Sequence, residues 1–385
     1  MTKTKARTVA VLGAGSSGQA MAAFLSLSGY RVHIWNRPDE SEVHRWLEPI
    51  TEQGGIRAQG WMEGTAKIDL VTTELATAVT GADVILITTT ADALQSIGKL
   101  LAPHISDSQC LILMSSGSLG TLDVWRGLID GGFTDDLVVG ETTTTPFGSQ
   151  IAGPGSVHIS GQKKQVGIAS LPCGHHHVFT ALLPEIPFSA VTDVLESGLD
   201  NIGPSLHVAP MVLNAGWVEA QGGKFLYYQE GITPSVAAVA ERVDEERLAI
   251  ARAYGCRPPT LSDYLTNAVG APKGTLYDAI HGCVMYADVL SPVHLDHRFL
   301  WEDVIAGAVP LLCLAELAEV QAPTLASLVA LSSALLGRDL RAGGRTTENL
   351  GLGGFTVQSL RELVTGGETF SDWKNKAIAM AGSSA

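Results

Sequence analysis

The sequence predicts an α/β domain with a doubly wound parallel sheet, followed by an all-helical domain. Short apolar runs alternate with helical patterns up to about residue 190, and helical patterns dominate after it. Parallel strands need long crossovers, usually helices, so this alternation favours a parallel sheet. A chain of 385 residues is long enough for two domains. We therefore expect one domain at 1–190 and a second at 191–385.

Composition and charge exclude several classes of protein. With 45% hydrophobic and 17% charged residues, the chain is an ordinary globular protein and not a disordered one. Its net charge of −14 and its lack of a Lys/Arg-rich run would repel a phosphate backbone. We therefore expect no nucleic-acid partner.

Cysteine usage and apolar run lengths bear on metals, compartment and membranes. The 5 cysteines lie far apart and form no CxxC pair, which predicts neither a disulfide framework nor a zinc site. No run reaches the roughly 18–20 uncharged residues that span a bilayer. We expect a cytoplasmic protein with no bound metal and no membrane contact, and we keep a homodimer as an open expectation.

The first domain is predicted to begin with a βαβ unit. An apolar strand, a glycine-rich turn, a helix and a second strand follow one another at Thr8–Leu12, Gly13–Gly18, Gln19–Ser28 and Arg31–Asn36. Further strands are predicted at Lys67–Val71, Asp83–Thr88, Cys110–Ser115, Leu137–Thr142 and Gln165–Leu171.

The glycine-rich turn predicts a dinucleotide site of the Rossmann type. Gly13, Gly15 and Gly18 form GxGxxG directly after a strand, and they permit in turn a tight bend, close approach of a pyrophosphate, and close packing of helix on strand. The N-terminus of the following helix offers N–H groups to phosphate, and Ser16 and Ser17 of the turn are expected to contact the cofactor. A flavin would satisfy the same motif, but no second feature asks for one.

The end of the second strand indicates which dinucleotide binds. It carries Asn36 and Arg37 and no acid, which favours NADP(H) over NAD(H), although NAD(H) stays possible. The alternative is that Arg37 is solvated and that Asp39 accepts the ribose hydroxyl. Thr88 and Thr89, at the end of a later strand, are also expected to contact the cofactor.

An enzyme that transfers hydride from a nicotinamide to a C=O or C=N bond needs a proton donor near the reacting centre, and the second domain is where we expect it. Histidine oriented by a carboxylate most often does this. His207 is a candidate because it ends a turn-rich segment, DNIGPSLH, just after the expected domain boundary. The consecutive His175, His176 and His177 cannot all converge, so a surface role is favoured over a metal site.

Four segments together carry a resemblance. They are DNIGPSLHVAPMVLNAG (200–216), YYQEGITPSVAAVAERVDEERLAIARAYG (227–255), HRFLWEDVIAGAVPLL (297–312) and ETTTTPF (141–147). In their order along the chain they resemble the octopine/nopaline, or opine, dehydrogenase family over nearly the whole chain. The resemblance implies condensation of an amino acid or other amine with a 2-oxo acid, and reduction of the imine by NAD(P)H to an N-(carboxyalkyl) amino acid.

The resemblance also assigns residues. His207 is similar to the family's catalytic histidine and Asp303 to its carboxylate partner, which implies a proton-relay dyad. Without the resemblance, Asp303 would be interpreted as an acid at a helix N-terminus. Arg298 is similar to an arginine that holds a substrate carboxylate, which suits its planar fork; the alternative is an ion pair with Asp296 or Glu302.

The loop at 141–147 is expected to line the substrate site, because carboxyl ends of parallel strands face the ligand crevice. Glu141, Thr143 and Phe147 are its candidate substrate contacts, and Glu141 would either recognise an amine or cap the loop. The family's loop commonly ends in a cysteine and a basic residue, whereas this one continues PFGSQ. An apolar Phe147 would suit a bulkier or less charged amine.

Two other functions remain open at this point. A 2-hydroxyacid or ketopantoate-like carbonyl reductase would use the same fold without an amine. A non-catalytic dinucleotide sensor would bind nucleotide and contact a partner protein through its helical domain.

Overall fold

The structure of the protein, a computed structural model, describes residues 7–382. The chain forms two compact units. The first comprises the chain up to Ser115, Val124–Ala190 and the chain from Lys376 onward, and the second comprises Ser116–Asp123 and Val191–Asn375. The main division therefore falls at 190/191, and two short segments lie on the other side of the expected boundary.

The strands all belong to the first unit. They are β1 (Thr8–Leu12), β2 (Arg31–Trp35), β3 (Ile56–Gly60), β4 (Gly64–Ala66), β5 (Leu70–Thr72), β6 (Val84–Ile87), β7 (Cys110–Leu113), β8 (Val139–Thr142), β9 (Phe147–Gly153), β10 (Ser156–Gln162), β11 (Val166–Leu171) and β12 (Phe188–Ala190).

The helices follow one another through both units. They are α1 (Ser16–Leu27), α2 (Glu40–Glu42), α3 (Glu48–Glu52), α4 (Leu75–Val79), α5 (Leu94–Leu101), α6 (Gly120–Asp130), α7 (His176–Leu182), α8 (Val194–Leu199), α9 (Ala209–Leu213), α10 (Ala215–Gln221), α11 (Pro234–Ala253), α12 (Leu261–Ala268), α13 (Leu276–His281), α14 (Arg298–Asp303), α15 (Val309–Leu317), α16 (Pro323–Leu336), α17 (Val357–Thr365) and α18 (Glu368–Gly382).

The main sheet has eight strands in the order β12-β11-β8-β7-β6-β1-β2-β5. From β8 to β5 all neighbouring strands are parallel, and β11 runs antiparallel to β8. The chain leaves β1 toward β2 on one side and returns to β6 on the other, which makes β1 the point where strand order reverses. The predicted doubly wound α/β domain is confirmed, and two strands at one edge, β11 and β12, run opposite to the other six, which the sequence analysis did not anticipate.

A second, four-stranded sheet was not predicted. Its order is β4-β3-β10-β9, and β9 and β10 form an antiparallel pair. The inner face of this sheet packs on α1: Phe24 of α1 lies 4.9 Å, between ring centroids, from Phe147 of β9. Both rings belong to the apolar core of the first unit. The helix that follows the glycine motif is therefore covered by a sheet of its own.

The second unit is helical, as predicted. Within residues 7–382, its β structure is limited to an isolated bridge between Leu226 and Leu290. Its longest helix, α11, begins at a Thr233 cap followed by Pro234, and it packs on α8, α9, α13, α15 and α16. None of the helices that the structure describes combines the length and apolar character that crossing a bilayer requires.

A buried ion pair ties Ser116–Asp123 to the rest of the second unit. Arg345 is 5% exposed; its Nε lies 2.9 Å from Asp123 Oδ2, and its Nη1 donates to the carbonyls of Ser116 and Ser118. Gly117 approaches so closely that a Cβ there would lie 2.5 Å from the Ala306 oxygen. This segment therefore has little freedom to move within its unit.

We expect Arg345→Met to lower the free energy of unfolding of the second unit by about 3–5 kcal/mol, because it leaves Asp123 buried without its cation. Urea titration followed by far-UV circular dichroism measures this. The matched control is Arg341→Met, which breaks an exposed pair with Glu316 and should cost no more than about 1 kcal/mol. Equal losses in the two variants would contradict the assignment.

Candidate active site

The glycine motif forms a bend between β1 and α1 that only glycine allows. Gly13 has a φ of +112°, and a Cβ on Gly18 would lie 1.8 Å from the Gly13 oxygen. A Cβ on Gly15, in contrast, would meet nothing within 4 Å. The loop is therefore closed against α1 and β1 and open beside Gly15, where a pyrophosphate would approach.

Groups around this bend fit a dinucleotide. α1 begins at Ser16, and its N-cap residue is Gly15. Because glycine has no side chain to cap the helix, the first N–H groups of α1 are left for a phosphate. Thr88 Oγ1 donates to the carbonyls of Leu12 and Gly13, at 3.0 Å each. The hydroxyl of Thr89 is buried and has no hydrogen-bond partner among the described residues. Such an unmatched polar atom is what a bound polar ligand would satisfy.

A carboxylate that the sequence analysis did not consider lies beside the end of β2: Glu42, the last residue of α2. Asn36 is 7% exposed, and its Nδ2 donates to Glu42 Oε2 at 3.1 Å. Trp46 Nε1 donates to the same oxygen at 2.9 Å. Arg37 is exposed, and Asp39 caps α2 through the Glu42 N–H. Hydrogen bonds from the Ser41 hydroxyl and the Glu42 N–H lower the pKa of the Asp39 carboxyl.

His207 and Asp303 meet in the second unit. Nδ1 of His207 lies 2.8 Å from Oδ2 of Asp303. An ionised carboxylate can only accept, so Nδ1 carries the proton and Nε2 is the acceptor nitrogen of the neutral ring. Both side chains keep about a fifth of their surface exposed, at 22% and 23%. The pair is thus oriented for proton transfer at Nε2.

Each partner borders a π-helical turn. His207 lies within the turn Pro204–Val208, and Asp303 directly precedes the turn Val304–Ala308. Such turns insert a residue into a helix and often occur at functional sites. Asp303 ends α14, so the alternative interpretation of it as an acid at a helix N-terminus is wrong.

Backbone packing holds the carboxylate in place. A Cβ on Gly203 would lie 2.1 Å from Asp303 Oδ1. The Gly203 N–H donates to Asn201 Oδ1 at 3.0 Å, and Asn201 Nδ2 donates to Ser118 Oγ at 3.2 Å. The approach of Gly203 to Asp303 is therefore fixed by a short chain of hydrogen bonds.

Aromatic side chains surround the His207 ring. Phe299 stacks on it with ring centroids 4.1 Å apart and planes inclined by 7°. The Tyr228 hydroxyl lies 3.1 Å from Nε2, and the Tyr227 hydroxyl donates to the His207 carbonyl at 2.8 Å. Burial raises the pKa of Tyr228, so its phenol stays protonated and can donate to Nε2.

Arg298 opens α14, five residues before Asp303. Its side chain is 56% exposed, its Nη1 lies 3.9 Å from Glu302 Oε2, and its guanidinium carbon lies 5.5 Å from the centre of the Phe299 ring. The pairing with Glu302 matches one alternative from the sequence, whereas Asp296 pairs with Arg338. A loose, exposed ion pair leaves this guanidinium able to turn toward an anionic ligand.

The candidate substrate residues of the first unit differ in accessibility. Glu141, on β8, is 1% exposed, and Thr143 is partly exposed, with its N–H donating to the Gly167 carbonyl at 3.0 Å. Phe147 is 3% exposed and packs on Phe24 and Trp61. The expectation that Phe147 contacts a substrate amine is therefore corrected, because its ring belongs to the apolar core.

The described part of the chain contains no candidate metal site. Among residues 7–382, no three or more His, Cys, Asp or Glu side chains are grouped so that they could hold a metal ion.

Comparison with known proteins gives the family of this chain. Residues 190–336 match the family described as NAD/NADP octopine/nopaline dehydrogenase, alpha-helical domain, and residues 9–172 match ketopantoate reductase PanE/ApbA. The opine dehydrogenase of Arthrobacter sp. (strain 1C) is 36% identical over 365 residues, which cover 94% of this chain and 99% of that one. The chain belongs to the opine dehydrogenase family. It is an NAD(P)-dependent oxidoreductase that acts on a CH–NH group.

More distant relatives extend the comparison. Protein ocs of Agrobacterium tumefaciens (strain Ach5) is 26% identical over 93% of this chain and 99% of its own. An octopine dehydrogenase solved with NADH and L-arginine shares the fold with a TM-score of 0.74 at 18% identity, covering 94% of this chain and 98% of that one. A yersinopine dehydrogenase with NADP+ bound has a TM-score of 0.67 at 17% identity, covering 96% and 99%.

Several residues around His207 were not singled out from the sequence. Tyr228 and Phe299 lie in segments that were quoted for their resemblance, but nothing in the pattern separates an aromatic residue beside a site from one in a core. Asn201 and Gly203 precede His207 in the turn-rich segment, and that clustering of turn residues was the available signal.

His297, close to His207 and Arg298, makes the stability of the folded protein depend on pH. Its Nδ1 accepts the Phe299 N–H at 3.2 Å and so caps α14. Burial, with help from the neighbouring Arg298 and His207, lowers its pKa from 6.5 to about 4. The folded protein therefore binds fewer protons here than the unfolded chain between these pH values, and stability present above pH 6.5 is lost as the pH falls through about 4.

We expect His297→Ser to remove part of this pH dependence, since serine caps the helix without titrating. Between pH 7.5 and 4.5, the wild-type protein should lose about 1–2 kcal/mol more of its unfolding free energy than the variant, after solvent screening is allowed for. Urea titrations at a series of pH values measure the difference. Parallel curves for the two proteins would refute this role for His297.

Proposed function

We propose that this enzyme condenses a 2-oxo acid with an amino acid or other amine and reduces the resulting imine with NAD(P)H. The main support for this proposal is the 2.8 Å contact between His207 Nδ1 and Asp303 Oδ2, which leaves the Nε2 atom of His207 to exchange a proton. Condensation releases water, and reduction consumes one hydride and one proton to give an N-(1-carboxyalkyl) amino acid. Membership of the opine dehydrogenase family supports this reaction class.

In this proposal, His207 and Asp303 together accept and donate the proton that the reaction requires. Asp303 orients the imidazole and stabilises its cationic form, so His207 can accept a proton while the amine attacks and donate one while the C–N centre is reduced. The Tyr228 hydroxyl, 3.1 Å from Nε2, shares that nitrogen and would be replaced or joined by a substrate atom. Phe299 restricts the ring to one plane by stacking.

The substrate carboxylate is assigned to Arg298. A guanidinium binds a carboxylate through two parallel hydrogen bonds, and its present partner Glu302 is 3.9 Å away, beyond hydrogen-bond distance. Glu141 and Thr143 are assigned to the amine partner. A buried carboxylate such as Glu141 would stabilise a cationic amine more strongly than an exposed one.

The cofactor is assigned to the glycine motif. Gly13, Gly15 and Gly18 with the N–H groups of Ser16 and Ser17 would hold the diphosphate, and Thr88 and Thr89 would contact the part of the dinucleotide beyond it. When bound, the nicotinamide supplies the hydride. Water must be excluded during this step, because an imine hydrolyses readily.

The preference for NADP(H) is assigned to Arg37. It is exposed at the end of β2, next to Asn36, where a 2′-phosphate would be recognised. Asp39 is engaged as the cap of α2, which supports Arg37 over the alternative in which Asp39 binds the ribose. Glu42, which accepts hydrogen bonds from Asn36 and Trp46, would act against this preference, since its negative charge repels a 2′-phosphate.

The test of the function is initial-rate oxidation of NADPH and NADH with pyruvate, with and without a panel of amino acids and amines. We expect amine-dependent oxidation that His207→Ala lowers by about 100- to 10,000-fold, the usual contribution of a general acid–base group. Asp303→Asn should lower kcat as well. The control is the exposed His104→Ala, which should retain full activity.

Oxidation that needs no amine would contradict the proposal and favour a carbonyl reductase, which the match of residues 9–172 to ketopantoate reductase makes the second candidate. Tight nucleotide binding without turnover on any substrate would favour the sensor.

We expect Arg37→Ser to lower the ratio of kcat/KM for NADPH over NADH by about 10- to 100-fold, the range for a lost hydrogen bond to a charged group. Arg45→Ser, which removes an exposed cation resting on Trp46, is the control and should leave the ratio unchanged. A wild-type preference for NADH that Glu42→Gln abolishes would instead assign this position to the ribose hydroxyl.

A further inference from the structure

The antiparallel strand β11 brings a lysine to the carboxyl edge of the main sheet. β8 ends at Thr142, and β11, which pairs with β8 in the opposite direction, begins at Val166. The residues just before β11 therefore lie beside those just after β8. The Lys163 N–H donates to the Pro146 carbonyl at 2.8 Å, and this contact joins the two loops.

The side chain of Lys163 turns toward the loop at 143–146. Its Nζ donates to Thr144 Oγ1, and Thr144 is 9% exposed. Lys163 is itself partly buried, whereas the next residue, Lys164, is exposed. A partly desolvated ammonium attracts an anion more strongly than one in water. The carboxyl edge of a parallel sheet is also where ligands of this fold bind.

Lys163 reaches this loop from a distant part of the sequence. It is 19 residues from Thr144, and the antiparallel pair of β9 and β10 returns the chain to the same edge of the sheet. The loop at 143–146, which reads TTTP, therefore has beside it a cation that its own sequence lacks.

We propose that Lys163, with the Thr144 hydroxyl, forms a carboxylate-binding subsite for one of the two substrates. The inference rests on the proposed function, in which the 2-oxo acid carries a carboxylate and an amino-acid partner carries another. An ammonium and a hydroxyl are both donors, so they would bind the two oxygens of one carboxylate. Arg298 would hold the carboxylate of the other substrate.

The test compares Lys163→Met and Lys163→Gln with Lys164→Met as the matched control. Lys163→Gln keeps a donor for Thr144 but removes the charge, so it separates loop support from anion binding. Initial rates are measured with pyruvate and with amine pairs that differ by a carboxylate: L-arginine and agmatine, L-leucine and 3-methylbutylamine, and L-phenylalanine and phenethylamine.

We expect both Lys163 variants to raise KM for one carboxylate substrate by about 10- to 100-fold, with a much smaller change in kcat and an unchanged Kd for NADPH. A rise for the amino acid but not for its decarboxylated amine assigns the subsite to the amine partner. A rise for pyruvate with either amine assigns it to the 2-oxo acid. Lys164→Met should change neither value.

The inference is overturned if both Lys163 variants keep both KM values within twofold of the wild type, or if Lys163→Gln restores what Lys163→Met loses. If the wild type shows no amine-dependent oxidation, the proposed function fails by itself. Equilibrium titration of pyruvate and of L-arginine into the NADPH-bound proteins then decides the inference: affinity lost in Lys163→Gln but not in Lys164→Met supports it, and equal or absent binding in all proteins overturns it.

Discussion

The hydrogen bond between His207 and Asp303 joins two parts of the chain 96 residues apart, and the second unit is built to keep it. The bond exists because Gly203 lets the backbone before His207 approach the carboxylate, where any side chain would collide with it. The side chain of Asn201 then fixes that backbone, because its oxygen accepts a hydrogen bond from the Gly203 N–H. The proposed proton transfer needs the geometry of the pair to be set before the substrate arrives, and here packing, not flexibility, sets it.

Much of the first unit follows from local sequence. Thr8–Leu12 is a strand with the predicted bounds, and the apolar runs before Thr88 and Ser115 form central strands of the sheet. A run buried on both faces of a parallel sheet must be continuously apolar, so it is easily recognised. The glycine motif is equally predictable, because its spacing expresses a steric requirement that no other residue meets.

The second sheet could not be predicted in the same way. β9 reads FGSQIAG, with two glycines and only its first residue buried, and it forms a strand because β10 pairs with it and α1 covers it. Strand formation there depends on tertiary cover more than on propensity. The burial of Phe147 at the start of β9, and the approach of Lys163 to Thr144 after the end of β10, depend on this pair and could not be predicted without it. The prediction for Asp303 likewise came from the resemblance, since local sequence alone favoured an acid at the start of a helix.

The two π-helical turns constrain how this protein can change in length. A π turn holds one residue more than an α turn, so removing a single residue from Pro204–Val208 would restore a regular α-helical turn and change the direction in which His207 points, while the helix beyond the turn kept its face. Surface loops elsewhere accept insertions and deletions at small entropic cost. In these two short stretches the number of residues matters as much as their identity, so a lineage could vary its loops widely while every functional descendant kept the same count through 204–208 and 304–308.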